Sequence, residues 1–210
     1  MSISLRVLIF LASLMVIGSI HAATSPAKEH ATLLVFGDSL SAGYGIRQDA
    51  AWPALLQHRL KENRLDYSVV NASISGETTS GGRSRLPELL TKHRPRIVLI
   101  ALGANDGLRG LPLVTMRENL DAMIRATRAA KARVVLVGMR LPPNYGPYAD
   151  EFQQTFAQLA RQEKVPLVSF LLEGIADQPR LFQADTIHPT AEAQPRLLDN
   201  VWGVLAPLLK

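Results

Sequence analysis

Cysteine is absent from this chain, which excludes disulfides, thiolate metal sites and lipidation of a leader-cleavage cysteine. Aromatic residues make up only 6% and no Lys/Arg block accompanies them. Nucleic-acid binding, which draws on clustered cations with interleaved aromatics, is therefore not expected. The formal net charge of +5 is spread along the chain, compatible with anionic substrates or a peripheral membrane contact but specific to neither. A P-loop lysine and a dinucleotide fingerprint are missing too. So is any apolar run of the ~20 residues that a membrane-spanning helix needs.

The longest apolar run lies at the start. Arg6 precedes residues 7–17, and the small-residue stretch Gly18-Ser19-Ile20-His21-Ala22-Ala23 follows. Residues 1–22 read as a secretory signal peptide cut after Ala22, with a periplasmic or secreted destination. The rest, residues 23–210, reads as a single domain. A chain of 210 residues that is 47% hydrophobic can bury a substantial core, and no repeat, linker or low-complexity tract divides it.

Five apolar runs, at 32–36, 67–72, 97–102, 133–139 and 166–170, are nearly continuous in Val, Leu and Ile. Lacking polar alternation, they suit strands buried on both faces, as in a parallel sheet. Helical faces lie between them: Trp52, Leu55, Leu56 and Leu60; Met116, Leu120, Met123, Ile124 and Thr127; Phe152, Phe156 and Leu159; Leu197, Leu198, Val201, Trp202 and Leu205. The segment 79–93 is the weakest helix on paper, because Gly81, Gly82 and Pro87 all lower its propensity. Strand–helix alternation throughout predicts one α/β domain, a three-layer sandwich on about five parallel strands.

Open parallel sheets bind ligands beyond the carboxyl ends of their strands, so the loops there matter most. The first run leads to Gly37-Asp38-Ser39 and the second to Ser75-Gly76-Glu77. The third leads to Gly103-Ala104-Asn105-Asp106-Gly107 and the fourth to Arg140-Leu141-Pro142-Pro143-Asn144-Tyr145-Gly146. Asp185 and His188 precede the last helix on the same predicted edge. Acyl transfer needs a nucleophile, a base, a group orienting that base, and donors for the developing oxyanion. Ser39 is the candidate nucleophile, His188 the base, and Asp185 the group fixing its tautomer. The candidate oxyanion donors are the backbone N–H groups of Ser39 and Gly76 and the side-chain amide of Asn105. The alternative for each is structural: Ser39 or Asp38 capping a helix, Asn105 and Asp106 forming a turn, His188 on a surface loop.

These loops resemble the ordered blocks of the GDSL or SGNH hydrolase superfamily, and the resemblance runs from Leu33 to the C-terminus. The superfamily's Ser, Gly, Asn and His fall on Ser39, Gly76, Asn105 and His188, and its acid falls on Asp185. Three longer stretches look like the bacterial multifunctional thioesterase, lysophospholipase and arylesterase branch. They are Gly37-Asp38-Ser39-Leu40-Ser41-Ala42-Gly43-Tyr44-Gly45, the stretch 102–110, and the stretch 140–146. Ala104 and Thr186 depart from the pattern, standing where glycine is common. The resemblance implies a flavodoxin-like strand order of 2-1-3-4-5, no cofactor and no metal. It also implies a mobile loop over the acyl chain at Gly107, Leu108, Arg109, Gly110, Leu111 and Pro112. Leu108, Leu111, Leu141, Pro142 and Tyr145 could line an apolar groove beside it, or simply pack the loops.

The expected activity is that of a serine hydrolase acting, as a monomer, on small-molecule acyl esters and thioesters, among them lysophospholipids, acyl-CoA and aryl esters. Two alternatives stay open. One is a carbohydrate acetyl-esterase of the same superfamily. The other is a non-catalytic lipid- or phosphate-binding module using the glycine-rich first loop as an anion cradle.

Overall fold

The computed structural model describes residues 30–209, so the signal peptide read in residues 1–22 lies outside the described residues. Strands and helices alternate along the chain: β1 (Ala31–Gly37), α1 (Ser39–Ala42), α2 (Trp52–Glu62), β2 (Tyr67–Asn71), α3 (Thr79–His93), β3 (Ile97–Ala101) and α4 (Ala104–Leu108). Then come α5 (Leu113–Ala129), β4 (Arg133–Val137), α6 (Pro147–Glu163), β5 (Leu167–Val168) and α7 (Gln194–Leu205). All strand pairs are parallel, and the order is β2-β1-β3-β4-β5, as the resemblance implies. Helices α2 and α7 pack together over one face, and α3, α5 and α6 line the other. This is the three-layer sandwich.

The runs predicted as strands are all present, but three differ in detail. Strand β2 is half-buried along most of its length, because it is an outer strand with a neighbour on one side only. Strand β4 ends at Val137, and β5 is only two residues long. The chain turns there: Gly138 N–H donates to Val168 O at 2.7 Å, and Leu171 N–H donates back to Gly138 O at 3.0 Å. Leu171 is thereby drawn across the strand end and pairing stops.

Segment 79–93 is a full helix despite its composition. Thr78 caps it, its hydroxyl accepting from Gly81 N–H at 3.3 Å, and Leu86 and Leu90 anchor its buried side. Gly82 earns its place by packing rather than propensity. A Cβ there would lie 2.3 Å from Leu102 Cδ1 and 3.2 Å from Phe36 Cε1, so only glycine lets α3 sit this close to the sheet. Pro87 points to the exposed side, where water can satisfy the carbonyl its missing N–H leaves unpaired.

Strand order decides where the chemistry gathers. Strand β1 is flanked by β2 and β3, with Val35 opposite Asn71 and Gly37 opposite Ala101. The loops leaving these three strands are therefore neighbours at one edge of the sheet.

Candidate active site

Ser39 is the first residue of α1, directly beyond β1. Asp38 caps that short helix, its Oδ1 accepting from Leu40 N–H at 3.0 Å, which turns the chain sharply and leaves the serine half-buried at the edge. The capping role weighed for Ser39 thus belongs to Asp38. The Ser39 hydroxyl instead donates to His188 Nε2 at 2.8 Å, across 149 positions of sequence.

His188 donates through Nδ1–H to Asp185 Oδ2 at 2.7 Å. A carboxylate can only accept, so this bond places the proton on Nδ1 and leaves Nε2 free to accept from the serine. Asp185 Oδ1 accepts from the backbone N–H groups of Ile187 and His188, both at 3.0 Å. The same turn forces Thr186 to φ +60°, a left-handed conformation unfavourable for a β-branched residue. Glycine would relieve that strain, which gives the departure at Thr186 a physical cost. The His188 backbone N–H, its ring and the Ile187 N–H together hold the Asp185 carboxyl down at about 2.

Gly76 lies exposed beyond β2, its carbonyl accepting from Arg109 Nη2 at 3.1 Å. Asn105 lies in α4, with its Nδ2 donating to Glu77 O at 3.0 Å and standing 3.4 Å from Asp38 Oδ2. Asn105 therefore borders the serine turn, and the loop carrying Gly76 is tied to it through Ile74 N–H, which donates to Gly37 O at 3.0 Å.

Asp38 is only 2% exposed. Burial pushes its carboxyl up to about 7, against the lowering pull of Leu40 N–H and of His188. Asp106, next to Asn105, is equally buried and accepts from Thr79 N–H at 2.9 Å and Thr79 Oγ1–H at 2.5 Å. That pair ties α4 to the start of α3 and seats Asn105. The turn reading of Asp106 missed this; an acid adjacent to a candidate donor was the only signal available.

The expected substrate loop divides in two. Gly107 belongs to α4 and is buried, and a Cβ there would meet Phe152 at 2.5 Å and Leu141 at 3.0 Å. Gly107 and Leu141 are thus largely buried, and for Leu141 the packing alternative is what the structure shows. Arg109, Gly110 and Pro112 are exposed, as is Pro142, while Leu108 and Leu111 are each 37% exposed. Tyr145 O–H donates to Leu108 O at 3.1 Å, and Tyr148 O–H donates to Leu111 O at 2.7 Å, fastening this loop to the segment after β4. Among the described residues, the exposed large apolar side chains are Tyr44, Ile74, Leu108, Leu111, Val114 and Ile187. Of these, Tyr44 touches the His188 ring, Ile74 N–H donates to Gly37 O beside the serine turn, and Ile187 adjoins the histidine.

Tyr44 and Gln183 also belong to the site, and neither was singled out from the sequence. The Tyr44 ring lies against the imidazole, with centroids 4.4 Å apart and planes tilted by 38°.

Residues 35–195 match the GDSL-like lipase/acylhydrolase family. The chain is 52% identical over 179 residues to the esterase TesA of Pseudomonas aeruginosa, covering 85% of this chain and 89% of that one. It is 45% identical over 179 residues to thioesterase 1/protease 1/lysophospholipase L1 of Escherichia coli K12, covering 85% of each. Its fold superposes on the crystal structure of the psychrotrophic esterase EstA from Pseudoalteromonas sp., inhibited by monoethylphosphonate. The TM-score is 0.81 at 41% identity, covering 85% of this chain and 98% of that one.

Proposed function

This chain belongs to the GDSL-like lipase/acylhydrolase family, and from that premise we propose that it is a serine esterase and thioesterase working through an acyl-enzyme on Ser39. The observation that carries this reading is the unbroken relay from the Ser39 hydroxyl to His188 at 2.8 Å and on to Asp185 at 2.7 Å. The names of its relatives, an esterase and a thioesterase/lysophospholipase, support acyl esters and thioesters as the substrate class. The phosphonate inhibition of the Pseudoalteromonas esterase supports a nucleophilic hydroxyl.

In this mechanism Ser39 Oγ attacks the acyl carbonyl as His188 Nε2 takes its proton. Asp185 holds the ring and stabilises the imidazolium. Negative charge on the tetrahedral oxygen is met by the N–H groups of Ser39 and Gly76 and by the Asn105 amide. One Asn105 hydrogen is committed to Glu77 O, and the other, facing Asp38 at 3.4 Å, is held loosely enough to turn to the substrate. His188 then protonates the departing alcohol or thiol, and water activated by the same imidazole frees the acyl group. Every group in the scheme comes from one chain, so the chemistry as written draws on no residue of a second subunit. The leader read in residues 1–22 supports export to the periplasm or beyond.

Ser39→Ala should abolish hydrolysis of chromogenic acyl esters and labelling by a fluorophosphonate, with the circular dichroism spectrum unchanged. Turnover near that of the wild type in this variant would end the reading.

A further inference from the structure

The bond between Ser39 and His188 joins two loops that share no strand pairing, so something else must hold their relative position. Gln183 stands where they meet. Its backbone N–H donates to His188 O at 2.8 Å, and its own carbonyl accepts from Thr186 N–H at 2.9 Å. Those two bonds close the turn that carries Asp185 and His188. The side chain then reaches out of the turn: Nε2 donates to Pro189 O at 3.1 Å and to Tyr44 O at 2.8 Å, the latter spanning 139 positions. One amide nitrogen thus commits both its hydrogens, one to each loop.

The serine-bearing loop is shaped to receive it. A Cβ on Gly45 would lie 2.0 Å from Gln183 Oε1, and Gly45 sits at φ +73°, so this glycine makes room for the amide. Tyr44, whose carbonyl Gln183 grips, is the residue whose ring lies on the imidazole. A second cross-tie, Trp52 N–H to Gln194 Oε1 at 3.0 Å, lies deeper between α2 and α7 and touches neither loop tip.

We propose that Gln183 is a positioning residue for the base: its amide locks the serine loop to the histidine loop and, through Tyr44, sets the face of the imidazole. It builds on the roles proposed above for Ser39 and His188. Loss of the amide leaves the reacting atoms present but loosely aimed, and misplacement on the order of 1 Å can cost ~10²-fold in rate. Because both Gln183 amide hydrogens are committed to backbone carbonyls, it has no donor left for a substrate, and the loss falls on turnover rather than on binding.

The test compares wild type, Gln183→Met (the same length without donors), Tyr44→Leu (the ring removed, its carbonyl kept), the double variant and Ser39→Ala. The readouts are kcat and KM on a soluble short-chain chromogenic ester, the rate constant of fluorophosphonate labelling, and Tm. For Gln183→Met the expectation is a fall of about ten- to a hundredfold in both kcat and labelling rate, with KM within about twofold, at temperatures well below Tm. The double variant should lose less than the product of the two single losses, since both act on one imidazole. A Gln183→Met enzyme with kcat within about twofold of wild type overturns the proposal, as does full multiplicativity. If that variant does not fold, Tyr44→Leu decides alone: unchanged kcat overturns the proposal. Labelling that persists in Ser39→Ala would instead sink the underlying functional reading.

Discussion

Two carboxyls stand on either side of one serine, and their surroundings drive them apart. Asp185 receives two backbone N–H groups and an imidazole N–H, and stays ionised down to about pH 2. Asp38 has traded water for the interior and one N–H, and holds its proton up to about pH 7. Such separation lets neighbouring acids take different tasks. In the proposed mechanism Asp185 orients the base, whereas Asp38 shapes the turn and faces the Asn105 amide. If that amide meets the oxyanion, Asn105→Ala should lower kcat by roughly 10²–10³-fold with little change in KM, measured by steady-state kinetics. An unaltered kcat would remove Asn105 from the oxyanion site. At this scale the legible residues were those whose chemistry is peculiar to their type, Ser39, His188 and Asp185. Gln183 and Asp106 were not legible, because each acts across a gap that only the folded chain closes.

The elements follow from hydrophobic patterning with one instructive exception. Buried strands announced themselves as apolar runs, and their ends did not, since Gly138 and Leu171 stop the pairing by a backbone turn that hydropathy cannot register. Helix α3 reads poorly because propensity counts glycine as a cost, whereas here the missing side chain is what permits contact with Leu102 and Phe36. Gly82→Ala tests this. Propensity alone would stabilise the helix by up to ~1 kcal/mol, but the overlap with Leu102 should dominate, destabilising the protein by about 1–3 kcal/mol. Thermal denaturation should show a lower Tm. A higher Tm would mean that the sheet yields easily at this contact. The division of the expected substrate loop has a similar origin: Gly107 looks like a loop residue in sequence but is buried in α4, with no room for a Cβ beside Phe152 and Leu141.

The molecule as a whole carries the burden of Asp38. Its folded value of about 7 lies above the ordinary 3.8, so the folded state keeps a proton that the unfolded chain gives up. That contribution to stability is complete below pH ~3.8 and is lost as pH rises through about 7, a difference of up to about 4 kcal/mol. Relative to Asp38→Asn, the wild type should therefore become steadily less stable between about pH 4 and about pH 8, as read by chemical denaturation at each pH. Parallel curves for the two proteins would show that Asp38 ionises in the fold as freely as in water. The same architecture explains the arrangement of the edge. Strand β1, between β2 and β3, sets the loops after these three strands side by side, while α7 follows the loop that brings His188 to Ser39.

That long reach, 149 positions from hydroxyl to imidazole, also bears on what a cut in the chain would do. A break anywhere between the two leaves the serine on one fragment and the imidazole on the other, so the bond between them survives only while the fragments stay docked.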